Sequence, residues 1–358
     1  MDFGNKNILI ISPESWEHIF VSKHHYAVHL AKKSNRVFFL NPPSGKFGYE
    51  ETEFDNVYSI QYRGFLKGLR FLPSFLQKII IRKKIKYLQN QLKANFDIIW
   101  SFDNSVFFDF SSLSKNVFCI SHIVDLNQDF NTKIAARTAD LCIGVNQKIV
   151  NRLRKHNSNT ILIPHGVQIF GNKFDEIDLA GKNRIKAIYM GNLSMPHIDW
   201  ELLLQIVLTH PFVDFILIGG GKNTNSNTVK SNVLEKSNVF LTGKISADKI
   251  PSYLKKSDIL LSIYDETYAT NYATPHKMME YFSSGKMIIS TWISEYEQQF
   301  KEGIILMTKN QNEFLRKFNL VVENLEEWNS SDKILKRQNF ASKFTYDMQI
   351  EKIEKLLP

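Results

Sequence analysis

The segment 275–290, PHKMMEYFSSGKMIIS, has a pattern that predicts a loop, a helix, a glycine stop and a buried strand. Pro275 suits the first helical turn, because the N–H that proline lacks would have no partner there. Gly285 can adopt the left-handed conformation that ends a helix. Large apolar residues between them form one face of the helix: Met278, Met279, Tyr281 and Phe282. Helices that alternate with buried strands are typical of a parallel α/β sheet.

Two charged residues of this helix predict a ligand site. Lys277 and Glu280 are spaced i, i+3, so they share one face. The first turn of a helix already attracts anions, and a lysine there strengthens that attraction. A carboxylate one turn further in can accept two hydrogen bonds from a sugar diol. We therefore predict that Lys277 and Glu280 hold a nucleotide by its phosphate and its ribose, the alternative being an ordinary amphipathic helix.

Strands and helices alternate along the whole chain in two series. Strands are predicted at 7–12, 36–41, 57–61, 97–101, 117–121, 140–145 and 159–164, and then at 184–190, 214–218, 239–242, 258–263, 286–290 and 303–307. Helices are predicted at 24–33, 148–156, 199–209, 249–256 and 342–357, with a basic helical region that ends near 95. Short apolar strands separated by helices predict two doubly wound α/β domains. The domain bounds are 1–167 and 183–335, joined by the polar, glycine-containing linker 168–182.

Composition bounds the class of protein. The chain has 358 residues, enough for two ordinary domains, with 43% hydrophobic and 23% charged residues. Its two cysteines, Cys119 and Cys142, lie in apolar strand-like runs, so we expect buried thiols in a reducing compartment. No signal peptide pattern opens the chain, and no apolar run reaches the length of a spanning helix. We expect a cytoplasmic protein without an integral anchor.

The net charge of +9 comes from one segment. Residues 61–96 contain nine basic residues and no acid, and the other 36 basic residues cancel the 36 acidic ones. The segment also carries many large apolar residues, a composition typical of a helix on an anionic membrane surface. Nucleic acid is the competing partner, and a solvated helix packed on its own domain is the third possibility. Because the apolar residues are large and numerous, we predict peripheral membrane contact and expect no nucleic acid.

The segment 275–290 resembles the donor-sugar signature of GT-B glycosyltransferases, the family-4-like group in particular. The resemblance spans nearly the whole chain and is strongest at 140–291. It implies two Rossmann-like domains that face a cleft, with acceptor on the first and nucleotide sugar on the second. It also implies that the last helix, 342–358, packs back on the first domain. The donor would be a UDP or GDP sugar, with no further cofactor.

The resemblance extends to further donor-site residues. YMGNL at 189–193 resembles the family's strand-to-loop turn, GGGK at 219–222 its second glycine turn, and LTGK at 241–244 the segment beside the base. A basic residue expected soon after the first turn is not obvious, although His197 lies near that place. The residues implied to bind the donor are Gly191, Asn192, Gly219, Gly220, Lys244, Tyr272, His276, Lys277 and Glu280.

Tyr272 stands where family-4 enzymes carry a glutamate that faces the donor sugar. The pattern is in this respect similar to the inverting glucuronosyltransferase and teichuronic-type branches, and it leaves the stereochemistry of transfer open. An inverting reaction needs a general base from the first domain. Asp125 is the preferred candidate because it follows a buried strand, and His122, Asp103 and Glu17 are the other candidates.

These observations predict a glycosyltransferase of polysaccharide biosynthesis that transfers a sugar to a lipid-linked or polysaccharide acceptor. No metal site is apparent in the sequence, and the turn after the first strand lacks the G-x-G-x-x-G of a nicotinamide enzyme. Two alternatives stay open. One is a nucleotide-sugar 2-epimerase of the same fold, and the other is a non-catalytic protein that binds sugar nucleotides or polysaccharide.

Overall fold

The computed structural model describes residues 3–18, 20–65, 68–104, 109–126, 132–169, 175–220, 228–271 and 274–357. The chain forms two compact units. The first comprises Met1–Gly166 and Tyr346–Pro358, and the second comprises Val167–Thr345.

The first unit is built on an eight-stranded sheet with the order β3-β4-β2-β1-β5-β6-β7-β8. The strands are β1 (Asn7–Ile11), β2 (Arg36–Leu40), β3 (Gly48–Glu51), β4 (Val57–Gln61), β5 (Ile98–Ser101), β6 (Phe118–Ile123), β7 (Leu141–Gly144) and β8 (Thr160–Leu162). All neighbours pair in parallel except β3, which is antiparallel to β4. The inner strands are buried along almost their whole length, as expected of a parallel sheet covered on both faces.

Helices cover both faces of this sheet. They are α1 (Ser22–Ala31), α2 (Ser74–Leu92), α3 (Thr132–Thr138), α4 (Gln147–Arg154) and, from the end of the chain, α14 (Tyr346–Glu354). Two short 3-10 helices occupy Leu69–Phe71 and Phe110–Ser112. The apolar core divides into two clusters: α2 and α4 contribute to one, and α1 and α14 to the other.

The second unit has a six-stranded parallel sheet with the order β11-β10-β9-β12-β13-β14. The strands are β9 (Ile185–Met190), β10 (Val213–Ile218), β11 (Val239–Gly243), β12 (Ile259–Ser262), β13 (Met287–Thr291) and β14 (Leu306–Thr308). The helices are α5 (Trp200–Thr209), α6 (Thr228–Leu234), α7 (Ile250–Lys256), α8 (Glu266–Asn271), α9 (Lys277–Ser284), α10 (Glu297–Lys301), α11 (Gln311–Glu323), α12 (Leu325–Trp328) and α13 (Ser331–Ser342). The prediction of two doubly wound α/β domains is confirmed.

Each sheet has one point where the strand order reverses. In the first unit the chain builds outward from β1 on one side and continues from β5 on the other, and in the second unit the reversal lies between β9 and β12. Ligands of open α/β sheets bind outside the carboxyl ends of the strands at such a point. Candidate site residues are therefore expected at the carboxyl ends of the strands that flank these two points.

Several local predictions are corrected. The helix of the opening segment begins at Lys277, two residues after Pro275, and it ends at Gly285 with φ +78° as expected. The last predicted strand, 303–307, lies at Leu306–Thr308. The basic region is a 3-10 turn followed by α2, which ends at Leu92. Several elements were not predicted from the sequence, among them β3, α3, α6, α8 and α11 to α13.

Both cysteines are buried free thiols, as predicted, and burial raises the pKa of the Cys119 and Cys142 thiols. Among the described residues, no helix is both long and apolar enough to cross a bilayer.

Candidate functional site

Three glycine-containing loops meet at the carboxyl edge of the second sheet. The Gly191 N–H donates to the Ile218 carbonyl at 2.9 Å, and the Gly219 N–H donates to the Gly243 carbonyl at 2.9 Å. Gly219 has φ +149°, and a Cβ built there would lie 1.8 Å from the Gly191 carbonyl oxygen. Only glycine permits this close approach of two backbones. The loops that follow β9, β10 and β11 are thereby held side by side.

Lys277 lies beside these loops in a box of tyrosine rings. Its Nζ is 3.8 Å from the ring centroid of Tyr189, 5.0 Å from that of Tyr264 and 5.8 Å from that of Tyr281. The Tyr281 hydroxyl accepts a hydrogen bond from the Met190 N–H and donates one to the Leu261 carbonyl, so it ties α9 to β9 and β12. Lys277 is thus positioned at the point where the strand order reverses.

The Lys277 ammonium has no hydrogen-bond partner within the part of the chain that the structure describes, although the residue is only 8% exposed. Burial lowers the pKa of Lys277 well below its ordinary value. Ring faces attract a cation, but they do not replace the three acceptors that an ammonium group loses on leaving water. An unpaired cation held in this way is arranged to meet an anion.

Glu280 lies one turn after Lys277 and is half-buried. Burial raises the pKa of its carboxyl to about 7, and no hydrogen bond to this carboxyl is found within the described ranges. It therefore titrates near neutral pH and can accept hydrogen bonds from hydroxyl groups when it is ionised.

His197 is held by two neighbours on the same edge of the sheet. Its Nδ1 donates to the Asp265 carboxylate at 3.1 Å, and its ring stacks on Tyr268 with a centroid distance of 4.2 Å. Tyr268 in turn contacts Tyr264, one of the rings around Lys277, at 5.4 Å between centroids. From the sequence alone, His197 could be either a residue that contacts the ligand or an ordinary surface residue. The structure shows an oriented imidazole, about half exposed, adjacent to the tyrosine box.

The other donor-site candidates of the second unit lie around the same loops. Gly220 accepts a hydrogen bond from the Leu193 N–H at 3.1 Å, and the aliphatic part of Lys244 packs against it. Asn192 is exposed, and its side chain accepts from the Ser194 N–H. His276 is half-buried immediately before α9. Tyr272 lies outside the described residues.

In the first unit, acidic side chains surround a buried lysine at the point where that strand order reverses. Lys23, at the start of α1, forms an ion pair with Glu14 and is 3% exposed. Burial lowers the pKa of Lys23, and the carboxylates of Glu14, Asp103 and Asp125 oppose this shift. Asp125, the preferred base candidate, is thus exposed on one side and close to a cation on the other. Neither Lys23 nor Glu14 was identified from the sequence.

The remaining base candidates have contrasting environments. His122 is buried among aromatic rings, where its Nδ1 accepts from the Trp100 Nε1–H at 3.3 Å and its ring centroid lies 4.7 Å from that of Phe102. Burial lowers the pKa of His122 well below its ordinary value, so the ring is neutral. Glu17 is exposed in the turn after Trp16. Within the described ranges, no three His, Cys, Asp or Glu side chains converge in a group that could hold a metal ion.

The tyrosine box is the part of the site that sequence reasoning missed. Tyr189 ends a buried strand and Tyr264 follows another, and both resemble ordinary core residues. The available signal was their position, since each lies within three residues of a strand's carboxyl end. Aromatic residues with a hydroxyl group at two such ends, together with a lysine at a helix start, would have suggested the box.

Known proteins resemble part of this chain in sequence. A family model described as "Glycosyl transferases group 1" matches residues 184–324. The matched residues lie within the second unit. A curated relative, the putative teichuronic acid biosynthesis glycosyltransferase TuaH of Bacillus subtilis (strain 168), is 25% identical over 117 residues. That match covers 33% of this chain and 29% of the relative.

Solved structures resemble the chain over almost its full length. Sucrose-phosphate synthase from Thermosynechococcus elongatus aligns with a TM-score of 0.71 and 13% identity, and covers 98% of each chain. HepE from Anabaena, in complex with UDP and glucose, aligns with a TM-score of 0.68 and 14% identity over 99% of this chain and all of the other. The chain has the GT-B glycosyltransferase fold, as the sequence predicted.

Proposed function

We propose that the protein is a glycosyltransferase that moves a sugar from a nucleotide-diphosphate sugar to a lipid-linked or polysaccharide acceptor at the cytoplasmic face of the membrane. The observation that carries this proposal is the buried Lys277 ammonium at the reversal point of the second sheet, which has no hydrogen-bond acceptor among the residues that the structure describes. A diphosphate supplies the negative charge and the acceptor atoms that this group lacks.

The second unit holds the donor. Lys277 and the N-terminal N–H groups of α9 contact the diphosphate and stabilise the charge that the leaving group gains. Glu280 accepts hydrogen bonds from the ribose hydroxyls. The close contact of Gly191 with Gly219 keeps side chains away from the phosphate, and Lys244 and Asn192 lie at the mouth of the same loops. In its protonated form His197 donates its Nε2–H to a phosphate or sugar oxygen, with Asp265 fixing its orientation.

The first unit holds the acceptor and the base. Asp125 removes the proton from the acceptor hydroxyl while that oxygen attacks the anomeric carbon of the donor. The bond from this carbon to the diphosphate oxygen breaks, and its electron pair leaves with the nucleoside diphosphate. Asp125 is favoured over His122 because it is exposed, whereas the His122 ring is enclosed by aromatic side chains. Glu17, which is also exposed, is the second candidate.

The comparisons support the class of donor and acceptor. HepE was solved with UDP-glucose and with UDP, which favours a uridine diphosphate sugar over a guanosine one. TuaH is described as a teichuronic acid glycosyltransferase, which favours a surface polysaccharide or its lipid-linked precursor as acceptor.

The test is a nucleotide-release assay with UDP and GDP sugars, with and without a lipid-linked or polysaccharide acceptor. Release of nucleoside diphosphate that depends on the acceptor is the expected result. Interconversion of sugars without an acceptor would identify an epimerase instead, and binding without turnover would identify a sugar-nucleotide-binding protein. Lys277→Met should weaken donor binding in either catalytic case, because both transfer and epimerisation begin with the same diphosphate contact.

A further inference from the structure

The first two turns of α2 and the 3-10 turn before them present a row of apolar side chains to solvent. Phe71 is 76% exposed, Phe75 61% and Ile79 45%. Their spacing of four residues keeps Phe75 and Ile79 on one side of the helix, with Phe71 continuing the row. We call Phe71, Phe75 and Ile79 the apolar row. Side chains of this size are ordinarily buried, and three in sequence form a patch rather than scattered exposure.

The orientation of α2 is fixed by its opposite side. Ile81, Ile85, Leu88 and Leu92 are buried in the core of the first unit at intervals of three or four residues. Gln77 adds a hydrogen bond from its side chain to the Leu72 carbonyl, which ties the start of α2 to the 3-10 turn. Rotating the helix to hide the apolar row would remove four large residues from the core. The outward row is therefore a property of the folded unit.

Basic side chains flank the apolar row without any acid among them. Residues 61–96 carry nine lysines and arginines and no aspartate or glutamate. Arg70, Arg82, Lys83 and Lys86 are exposed. The guanidinium of Arg70 lies over the Phe71 ring at 4.7 Å. A cation that lies along an apolar side chain can keep its charge at the level of lipid headgroups while the ring goes deeper.

We propose that the apolar row and its flanking basic residues dock the protein on an anionic lipid bilayer. The exposed fraction falls from Phe71 to Ile79, so the 3-10 turn enters deepest and α2 rises out of the interface at an angle. The proposal rests on the proposed function for its purpose, because a lipid-linked acceptor lies in a membrane. Vesicle binding itself, however, needs neither donor nor acceptor.

Charge complementarity selects the bilayer among possible occupants. A nucleic acid would use the basic residues, but it offers no apolar interior for Phe71, Phe75 and Ile79. Anionic lipid offers both, with each nearby lysine or arginine contributing about 1 kcal/mol. High salt should weaken such binding without abolishing the apolar part.

The test is flotation of the full chain with vesicles of phosphatidylcholine alone or with added phosphatidylglycerol. We expect binding that requires phosphatidylglycerol. The triple variant Phe71→Ser, Phe75→Ser, Ile79→Ser and the variant Arg70→Gln, Lys83→Gln, Lys86→Gln should each lose at least about tenfold in vesicle affinity, since either half of the interaction is removed. The matched control is Leu208→Ser, Phe212→Ser, Leu320→Ser, which alters three large apolar residues of the second unit that are also exposed.

Nucleotide affinity and the circular dichroism spectrum establish that each variant is folded. Wild-type affinity in the serine triple variant would overturn the proposal, and so would equal binding to neutral vesicles. Displacement of the protein from vesicles by duplex nucleic acid at the same residues would identify a nucleic-acid surface instead and would also overturn it. Absence of glycosyl transfer alongside intact vesicle binding would contradict the proposed function only.

Discussion

At the scale of single residues, the proposed role of Lys277 combines a cost to the stability of the fold with a gain on ligand binding. A buried ammonium without acceptors is unfavourable, and the rings of Tyr189, Tyr264 and Tyr281 offset only part of that cost. Active sites commonly keep such groups because ligand binding satisfies them. Stability and nucleotide affinity should therefore respond to substitution in opposite directions.

Lys277→Met should raise the midpoint of thermal unfolding and weaken nucleotide binding. Methionine keeps the volume and removes the buried charge, so we expect a rise of about 2–4 °C for a gain near 1 kcal/mol. Loss of a charge-assisted hydrogen bond should cost the affinity for UDP about 1.5–3 kcal/mol. Calorimetry of the apo protein and titration with UDP measure the two effects.

Lys230 provides the matched control, because it is also buried but its Nζ donates to the Leu193 carbonyl at 2.9 Å. Lys230→Met should lower the unfolding midpoint, since it leaves that carbonyl without its donor. Destabilisation by both methionine variants would show that Lys277 is an ordinary structural lysine.

Nucleotide binding should be coupled to proton uptake by Lys277. Burial holds the pKa of Lys277 well below its ordinary value in the free protein, and a bound diphosphate favours the ammonium form and raises that pKa. Between the two pKa values the complex holds more protons than the free protein, so the affinity for UDP falls as pH rises through that range. Calorimetric titration over a series of pH values, in buffers of different ionisation enthalpy, measures the uptake directly.

Glu280 should have the opposite effect on proton exchange: it should release protons on nucleotide binding, at lower pH. Its carboxyl has a pKa of about 7 in the free protein, and hydrogen bonds from ribose hydroxyls to the carboxylate would lower it. Below pH 7 binding should therefore release protons, and Glu280→Gln should remove this release while leaving the uptake by Lys277. A proton balance of zero over the whole pH series would contradict both assignments.

The base assignment makes a separate residue-level prediction. Asp125→Asn should leave UDP affinity unchanged and reduce turnover by roughly 10²–10⁴, because the acceptor hydroxyl loses its proton acceptor. Acceptor-dependent release of UDP under saturating donor measures the loss. Near-normal turnover would move the role to Glu17, whose variant Glu17→Gln is assayed in parallel.

At the scale of elements, a buried arginine joins the helix of the donor site to the rest of the second unit. The Arg337 side chain on α13 donates to the carbonyls of Ile304, Gly285 and Trp328. Gly285 ends α9, so Arg337 fixes the end of the helix whose start carries Lys277. Burial lowers the pKa of the guanidinium to about 10, which leaves it charged at neutral pH.

Arg337→Met should destabilise the second unit by about 3 kcal/mol or more, because three buried carbonyls lose their donor at about 1 kcal/mol or more each. Chemical denaturation measures the loss. Arg316→Met on the exposed side of α11 is the control and should change stability by less than about 0.5 kcal/mol. Equal losses in the free energy of unfolding would show that the hydrogen bonds of Arg337 do not stabilise the second unit.

Elements with strong periodic patterns were predictable, and the others were not. Buried strands such as β9 and β12 are short apolar runs bounded by turns, and they were located within one or two residues. Helix α11 is an exception, because its buried Phe314, Phe318 and Val321 recur at helical spacing and this signal was missed. Helices α12 and α13 have mixed polar sequences whose stability comes from packing, so local pattern alone could not find them. The antiparallel strand β3 is polar and exposed, and it exists because β4 offers it an edge.

Candidate site residues were predictable where their positions depend only on neighbouring residues in the sequence. Lys277 and Glu280 follow from helix geometry, and Gly285 and Gly219 follow from turns that need glycine. The enclosure of Lys277 by tyrosines from β9 and from the loop after β12 depends on which strands neighbour each other. That order is a long-range property, so the pKa shifts of the site were not available from the sequence.

At the scale of the whole molecule, the last helix of the chain belongs to the unit with which the chain begins. The Tyr26 hydroxyl donates to Gln349 at 2.5 Å, and Ile350 and Ile353 lie in the same cluster as the strands of the first sheet. Lys33 pairs with Glu354 at 2.7 Å. The stability of the first unit therefore depends on residues that follow the second unit in the sequence.

This arrangement predicts that one substitution and one ligand act on different unfolding transitions. Ile353→Ala removes a fully buried side chain and should cost the first unit about 2–5 kcal/mol. UDP should instead stabilise the second unit, by about 2.7 kcal/mol at a hundred times its dissociation constant. Differential scanning calorimetry should show the substitution lowering one transition while UDP raises the other. A single transition that both perturbations shift equally would mean that the two units unfold together, and that the end of the chain stabilises the donor unit as much as its own.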